Sequence, residues 1–516
     1  MTRLKLIWAD KALRWVVLAA LVATFLYLLP TIIAGGAGFP LDDGWIHQTY
    51  ARNLARTGRW EYVPGVVSAG STAPLWTIWL ALGYLLHLPY FFWVFLSGAL
   101  SLAWIGLVSA RLWQTLWPAE AERGWQIGLL VVLVWPLVWA AGSGMETLLF
   151  IALGLQAILA YYQVGPSRWG AARVGLLAGM MILVRPDGLP LLLLLALALL
   201  VGTPGLTWRQ RLTNVLLTLA AAALPLIPYF LFNRWASDQW WPNTFYAKQS
   251  EYAMLLAEPL WQRFLRLLYF SLGGPESGWR GISGAHLLLL PGLLVAGLNG
   301  LRADLRQRRL HFTLPLLWAG GHVLLYAWRL PVTFQHGRYL MAALPVWTLY
   351  GVAGWLPLLA GLKSKLSDLW LRAIPLVYVA MVLVFFLLGL TAYLNDVAFI
   401  NGEMVQVAHW LNDNTPEDAI IAAHDIGAIG YFTERQLVDM AGLITPDLVP
   451  FLAHEPSLFA YLRNFGAQYL VTAPGWPYEE IVGISGAQVV YSTNYAWTIE
   501  QGLNNMTVYE FVPIGP

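Results

Sequence analysis

The sequence has no cysteine and little charge: Asp, Glu, Lys and Arg make up 11% of its 516 residues, against roughly a quarter in soluble domains. The missing cysteines exclude disulfides, thiol chemistry and Cys-ligated zinc, so any part outside a membrane must hold together by packing alone. No P-loop, glycine-rich nucleotide fingerprint or HExxH pattern occurs. A net charge of +2 offers no electrostatic footprint for nucleic acid. What is abundant is apolar: 58% of residues are hydrophobic and 28 are Trp, a side chain that favours membrane interfaces. The composition is that of a polytopic α-helical membrane protein.

Arg3, Lys5, Lys11 and Arg14 precede an apolar run at about 15–33. The run is long for a signal peptide and long enough to span, so it reads as a retained helix with a cytoplasmic N-terminus. Further runs lie at about 91–110, 126–142, 145–163, 172–184, 187–202, 213–232, 284–299, 313–328, 338–361 and 371–394, giving about eleven transmembrane helices. The connections RLWQTLWPAEAERGW, GPSRWGAAR, TWRQR, LRADLRQRRL and GLKSKLSDLWLR cluster Arg and Lys and are expected in the cytoplasm, consistent with alternation. PLWTIWLALGYLLHL, residues 74–88, would spoil it as a twelfth span and reads instead as an interfacial or re-entrant helix.

Two large extracytoplasmic loops follow, 34–90 and 233–283, the second with an amphipathic LWQRFLRLLYF. Residues 1–395 thus form a membrane domain. Beyond 395 the hydropathy falls, and helix-then-strand patterns over 396–516 predict a soluble extracytoplasmic α/β domain with a polar cluster at His424, Asp425 and Asp439.

The first loop carries LDDGWIHQTYARN. Asp42 and Asp43 stand where a helix begins, with Ile46, Tyr50 and Leu54 along one face and Gly58 as its stop. One acid would suffice as an N-cap, so a second beside it at a membrane surface points to a site. The helix dipole is expected to keep both ionised, as a base or metal ligand requires. Glu146, Arg185 with Asp187, Lys248, and His336 with Arg338 fall at span ends or loops on the same side. Acids facing basic groups there suit a substrate whose leaving group is an anionic phosphate anchored in the bilayer.

LDDGWIHQTYARNLARTGRWEYVPG with STAPLWTIWLALG resembles the first outer loop of the GT-C glycosyltransferases, notably bacterial members that include mycobacterial arabinofuranosyltransferases. SGMETLLF, RPDGLPLLL, PNTFYAK, GRYLMAALP and DIGAIGYFTERQLVDMAGLITPD resemble further blocks in the same order, so the resemblance covers most of the chain. Gly44 and Trp45 replace the Ala and aromatic that usually follow the acids, and GSTAPLW replaces GxTNPLW, so acceptor or sugar preference can differ.

The resemblance implies an inverting membrane glycosyltransferase of the bacterial plasma membrane, a hexosyl- or pentosyltransferase. A polyprenyl-phosphate sugar would be the donor, and a hydroxyl of an envelope glycan, glycolipid or protein the acceptor. An acid of the first loop is then the catalytic base. Asp42 aligns with the first acid of the pair and is read as that base, with Asp43 orienting the acceptor or binding a divalent cation, Mg or Mn, though no cofactor is firmly implied. The blocks supply Arg52, Glu146, Arg185, Asp187, Asn243, Tyr246, Lys248, His336 and Arg338 as substrate-binding candidates, with Lys248, Arg338 or Arg185 stabilising the departing phosphate. The competing reading is a transporter or flippase of lipid-linked sugars, since intramembrane charges also mark transport paths. A third is a binding or assembly protein built on a degenerate enzyme, against which the intact acids argue.

Overall fold

The computed structural model describes residues 11–164, 168–202, 205–274, 283–362, 367–452 and 454–511. The expectations resting on Arg3, Lys5 and parts of GPSRWGAAR, GLKSKLSDLWLR and the 233–283 loop lie outside them.

The helices of the membrane domain are α1 (Lys11–Ala34), α2 (Asp43–Thr57), α3 (Pro74–Leu85), α4 (Tyr90–Leu116), α5 (Gly124–Val132), α6 (Trp135–Ala141), α7 (Thr147–Tyr162), α8 (Arg168–Val184), α9 (Leu189–Val201), α10 (Trp208–Ser237), α11 (Asn243–Glu251), α12 (Leu260–Ser271), α13 (Leu290–Gln307), α14 (Leu314–Arg329), α15 (Leu344–Leu362) and α16 (Asp368–Ile400). Every apolar run read from the sequence falls on helix. Among the described residues six helices are long and apolar enough to cross a membrane, and a seventh if α5 and α6, bent by 65°, count as one span. The remaining runs fold as helices of 13 to 17 residues, and length and composition alone therefore do not reach a count of eleven. The segment at 74–88 becomes α3, whose 12 residues are too short to span.

Local chemistry sets the element ends. α2 stops at Gly58, whose φ of 69° is left-handed and whose N–H donates to Leu54 O, as glycine allows at a helix C-terminus. α10 begins with a Thr207–Gln210 capping box. α12 buries Arg263, Leu267 and Ser271 and exposes Trp261, Leu265 and Tyr269 on its other face.

α16 runs on through a π-helical turn at Asn401–Val405 into α17 (Gln406–Asn414). The helix thus passes residue 395, where the hydropathy falls, without a break. The C-terminal domain that follows comprises β1 (Ile420–Ala423), α18 (Gly427–Phe432), β2 (Gln436–Asp439), α19 (Glu455–Phe465), β3 (Tyr469–Thr472), α20 (Glu479–Ser485), β4 (Gln488–Ser492), α21 (Ala496–Glu500) and β5 (Thr507–Glu510). The sheet order is β2-β1-β3-β5-β4, with β1 parallel to β2 and β3 and the other pairings antiparallel. β1 and β3 are almost wholly buried, as their unbroken apolar runs require. The next two strands in sequence, β2 and β3, lie on opposite sides of β1, so the carboxyl end of β1 is a topological switch point. There stand His424 and Asp425, beside the first loop of the membrane domain.

Candidate active site

The two adjacent acids have different partners. Asp42 makes no cap to its own helix. Its carboxylate instead accepts the N–H groups of Gly427 at 2.5 Å and Ala428 at 2.8 Å, at the start of α18 in the C-terminal domain. A Cβ on Gly427 would lie 2.1 Å from the backbone oxygen of Asp42, so this approach requires glycine. Burial, and then the charge of Asp425, push Asp42 up to about 7 against the opposing pull of the two N–H groups. The expectation that both acids stay ionised is therefore corrected for Asp42: α2's dipole is outweighed by desolvation.

Asp43 is a third exposed and meets Arg338 Nη2 at 2.5 Å. Burial opposes its ionisation, but Arg338, Lys248 and His47 outweigh it and hold its carboxyl down at about 2. Arg338 Nη2 also donates to Tyr339 Oη at 2.9 Å, and Lys248 Nζ donates to the same hydroxyl at 2.8 Å. Arg338 Nε and Nη1 are buried with no partner among the described residues. A guanidinium with two unused donors, beside an ammonium, is built to receive a further anion.

One turn after Asp43 on α2, His47 Nε2 lies 3.0 Å from Glu146. Glu146 also accepts from Arg185 Nη1 at 3.4 Å, and Arg185 reaches Asp187 at 3.1 Å and the Tyr326 hydroxyl. Tyr326 in turn donates to Asp187. The rings of Tyr326 and Tyr339 stack at 5.1 Å and close the network. Asp43, Glu146, Arg185, Asp187, Lys248 and Arg338 are thus brought together at the end of the helix bundle that carries the C-terminal domain.

The other candidates lie elsewhere. Arg52 donates to Tyr431 O at 2.5 Å and lies 3.5 Å from Glu434, stitching α2 to the C-terminal domain. Asn243 is buried, with its N–H on Ala69 O, and Tyr246 is half-buried against Phe245. His336 points away from Arg338. Gln335, His336 and Gly337 have φ of 53°, 57° and 69°, a left-handed turn just before Arg338. His336 Nε2 lies 2.7 Å from Asp396, which also accepts from Trp139 Nε1 at 2.8 Å. His336 lines a cavity of about 450 Å³ walled by Trp135, Phe270, Leu340, Met341 and Phe385 among others.

The arrangement also contains residues that the sequence reading missed. His47 follows Asp43 at helical i+4 spacing, a signal that was available. Tyr326, Tyr339 and Glu251 carried none. Glu251 closes α11 and lies 3.3 Å from His424, whose other nitrogen is 3.0 Å from Asp425. Burial disfavours charge on His424, but these two acids raise its pKa well above normal. The C-terminal domain therefore grips both α2 and α11, the helices that carry Asp43 and Lys248.

Comparison with solved structures matches this architecture. ArnT from Cupriavidus metallidurans superposes with a TM-score of 0.59 over 97% of this chain and 99% of that one, at 16% identity. The fold is that of the GT-C glycosyltransferases. The same ArnT bound to undecaprenyl phosphate gives 0.57 at 17% identity over the same shares. The oligosaccharyltransferase AglB from Archaeoglobus fulgidus, in complex with an inhibitory peptide and a dolichol-phosphate, gives 0.60 at 12% identity over 90% of this chain and 70% of that one. Residues 393–509 match a domain of unknown function, DUF8728. No curated protein matches the sequence. The GT-C fold of this multi-pass membrane protein thus spans the bundle and the appended sheet domain together.

Proposed function

We propose that this GT-C protein is an inverting glycosyltransferase that moves a sugar from a polyprenyl-phosphate donor to a hydroxyl of an envelope glycan, glycolipid or protein, on the extracytoplasmic face of a bacterial plasma membrane. The observation that carries the reading is Arg338: paired through one nitrogen with Asp43, it keeps two buried N–H donors for an anion, with Lys248 alongside. A donor phosphate taken up by the unused donors of Arg338 and by Lys248 brings negative charge beside Asp43. That charge offsets the cations that depress its pKa and makes Asp43 a better base. It accepts the proton of the acceptor hydroxyl as that oxygen forms its bond to the anomeric carbon. The bond to the phosphate oxygen breaks with its electrons on the phosphate, whose charge the two cations stabilise, so no general acid is needed.

In this reading Asp43 replaces Asp42 as the base, because Asp42 is spent on holding the C-terminal domain. Glu146, His47, Arg185, Asp187 and Tyr326 position Tyr339 and the cations. The apolar cavity beside Gly337 and Leu340 adjoins the Arg338 turn and suits the prenyl chain. A divalent cation does not fit this donor set. Asp43 lies against Arg338 among further positive groups, and among the described residues no group of three or more His, Asp or Glu is arranged to hold a metal.

The test is purified protein in lipid, given a panel of labelled polyprenyl-phosphate sugars with envelope extracts as acceptors. Transfer by the wild type that Asp43→Asn abolishes supports the proposal. Binding of those lipids with movement across the bilayer and no transfer favours the transporter reading.

A further inference from the structure

The segment between β4 and β5 is tied to the membrane helix by one buried acid. Glu403, in the π turn, accepts from Thr493 Oγ1 at 2.5 Å, from Thr498 Oγ1, and from Asn505 Nδ2 and Met506 N, both at 2.8 Å. These donors bracket α21, so α21 and the loop after it cannot lift away from that helix.

Two close contacts set their height. A Cβ on Gly402 would lie 2.3 Å from the ring of Tyr495, and one on Gly38 would lie 2.5 Å from the side chain of Asn401. Gly38 comes shortly after α1, a membrane span whose final turn leaves Ile33 75% exposed. A side chain that apolar and that exposed, at the end of a span, marks the border of the hydrocarbon. Tyr495 and α21 therefore stand at headgroup level.

At that level the segment shows Ile499 and Leu503, 56% and 48% exposed, to solvent. Trp497 lies beside them, its ring 6.4 Å from Phe399 of the membrane helix and 6.2 Å from Tyr495. Exposed aliphatic side chains next to Trp and Tyr at the headgroups form the pattern of an interfacial anchor. We propose that α21 and its following loop seat on the bilayer, with Ile499 and Leu503 entering the headgroup–acyl boundary and Trp497 and Tyr495 bordering it. The occupant of this surface is lipid. The domain's exposed edge strand offers a contrast: Tyr491 of β4 stacks at 4.8 Å on Trp410, which is roughly 10 Å further along the helix than Glu403 at 1.5 Å per residue. Val489, 60% exposed, belongs to that strand, which the proposed seating leaves clear of the membrane.

The absence of native cysteine makes the test direct. I499C, L503C and V489C variants of the full chain are labelled with a polarity-sensitive nitrobenzoxadiazole and reconstituted in phosphatidylcholine vesicles with or without bromine on the acyl chains. Labels at 499 and 503 are expected to emit at shorter wavelength and to be quenched several-fold more by brominated lipid than the label at 489. Equal quenching at all three positions overturns the proposal. So does a blue shift at 499 and 503 that bromine does not quench, because a protein surface would then cover them. The paired positions keep the test decisive if one variant fails to fold.

Discussion

Asp42 and Gly427 are 385 residues apart, yet the carboxylate of the first receives the N–H of the second at 2.5 Å. Through this contact the first loop holds the C-terminal domain, and the acid next in sequence is left free to face Arg338. Two adjacent residues of one type thus divide two tasks.

That division separates two substitutions. Asp43→Asn is expected to lower transfer by about 10²–10⁴-fold, the usual weight of a general base. It is also expected to lower the melting temperature, because buried Arg338 loses its ionic partner, so activity is the quantity that separates the two acids. Asp42→Asn is expected to lower the melting temperature, as is Gly427→Ala, whose Cβ would press on Asp42. Loss of melting temperature in Asp43→Asn with activity retained would reverse the assignment. Both quantities are read on the same detergent-purified samples.

Asp42 also predicts a pH dependence. Its folded-state pKa of about 7 lies above the ordinary 3.8, so the native protein keeps a proton that the unfolded chain has released. The stability due to Asp42 therefore falls as pH rises from about 4 to 7 and levels off above. Melting temperatures of wild type minus Asp42→Asn, measured across that range, are expected to decline and then flatten.

Arg338 is expected to matter more for turnover than for folding. Arg338→Lys keeps the charge but loses the forked donors, and a loss of about 10²–10³-fold in kcat/KM is expected, in line with removal of one stabilising donor from a polar active site. Binding of polyprenyl phosphate, followed by calorimetry, should weaken in parallel.

Because Asp43 is held among cations, chelation is expected to leave transfer unchanged. Turnover before and after EDTA, with magnesium or manganese added back, checks this.

Glu403→Ala would strand four buried donors. Each hydrogen bond to a charged group is worth about 1.5–3 kcal/mol, so the C-terminal domain is expected to loosen. Limited proteolysis should cut between residues 485 and 506 well below the temperature that does so in wild type.

Much of this was legible in the sequence where the cause is local. Apolar runs became helices, Gly58 ended α2, and the helix–strand alternation after residue 400 became a mixed sheet. The cluster of Glu146, Arg185, Lys248 and Arg338 was legible too, because they lie at one end of the helices. The split between Asp42 and Asp43 was not, since it depends on backbone N–H groups almost the whole chain away. Nor was the divergence of His336 and Arg338: the QHGR sequence reads as one polar patch, yet the imidazole meets Asp396 and the guanidinium meets Asp43, partners from distant parts of the chain. The count of eleven spans is not fixed by helix length and composition, which single out six helices among the described residues and a seventh if the bent pair is one span. The bend between α5 and α6 divides one apolar run into two helices, which hydropathy cannot see.

The π turn at Asn401–Val405 sets a phase. It sits inside an unbroken helix of 44 residues, Leu371–Asn414, so everything after it is indexed by rotation about one axis. Each residue of an α-helix advances that rotation by about 100°, and the wide turn absorbs one residue more than an α turn would. Loss of one residue within the π turn would restore an α turn with little change of phase, whereas loss of one residue from the regular helix on either side would swing the whole sheet domain around the bundle by about 100°. Gly427 would leave Asp42, and His424 would leave Glu251. The helix is a keyed shaft, and the count of residues along it decides which face of the domain meets the acids.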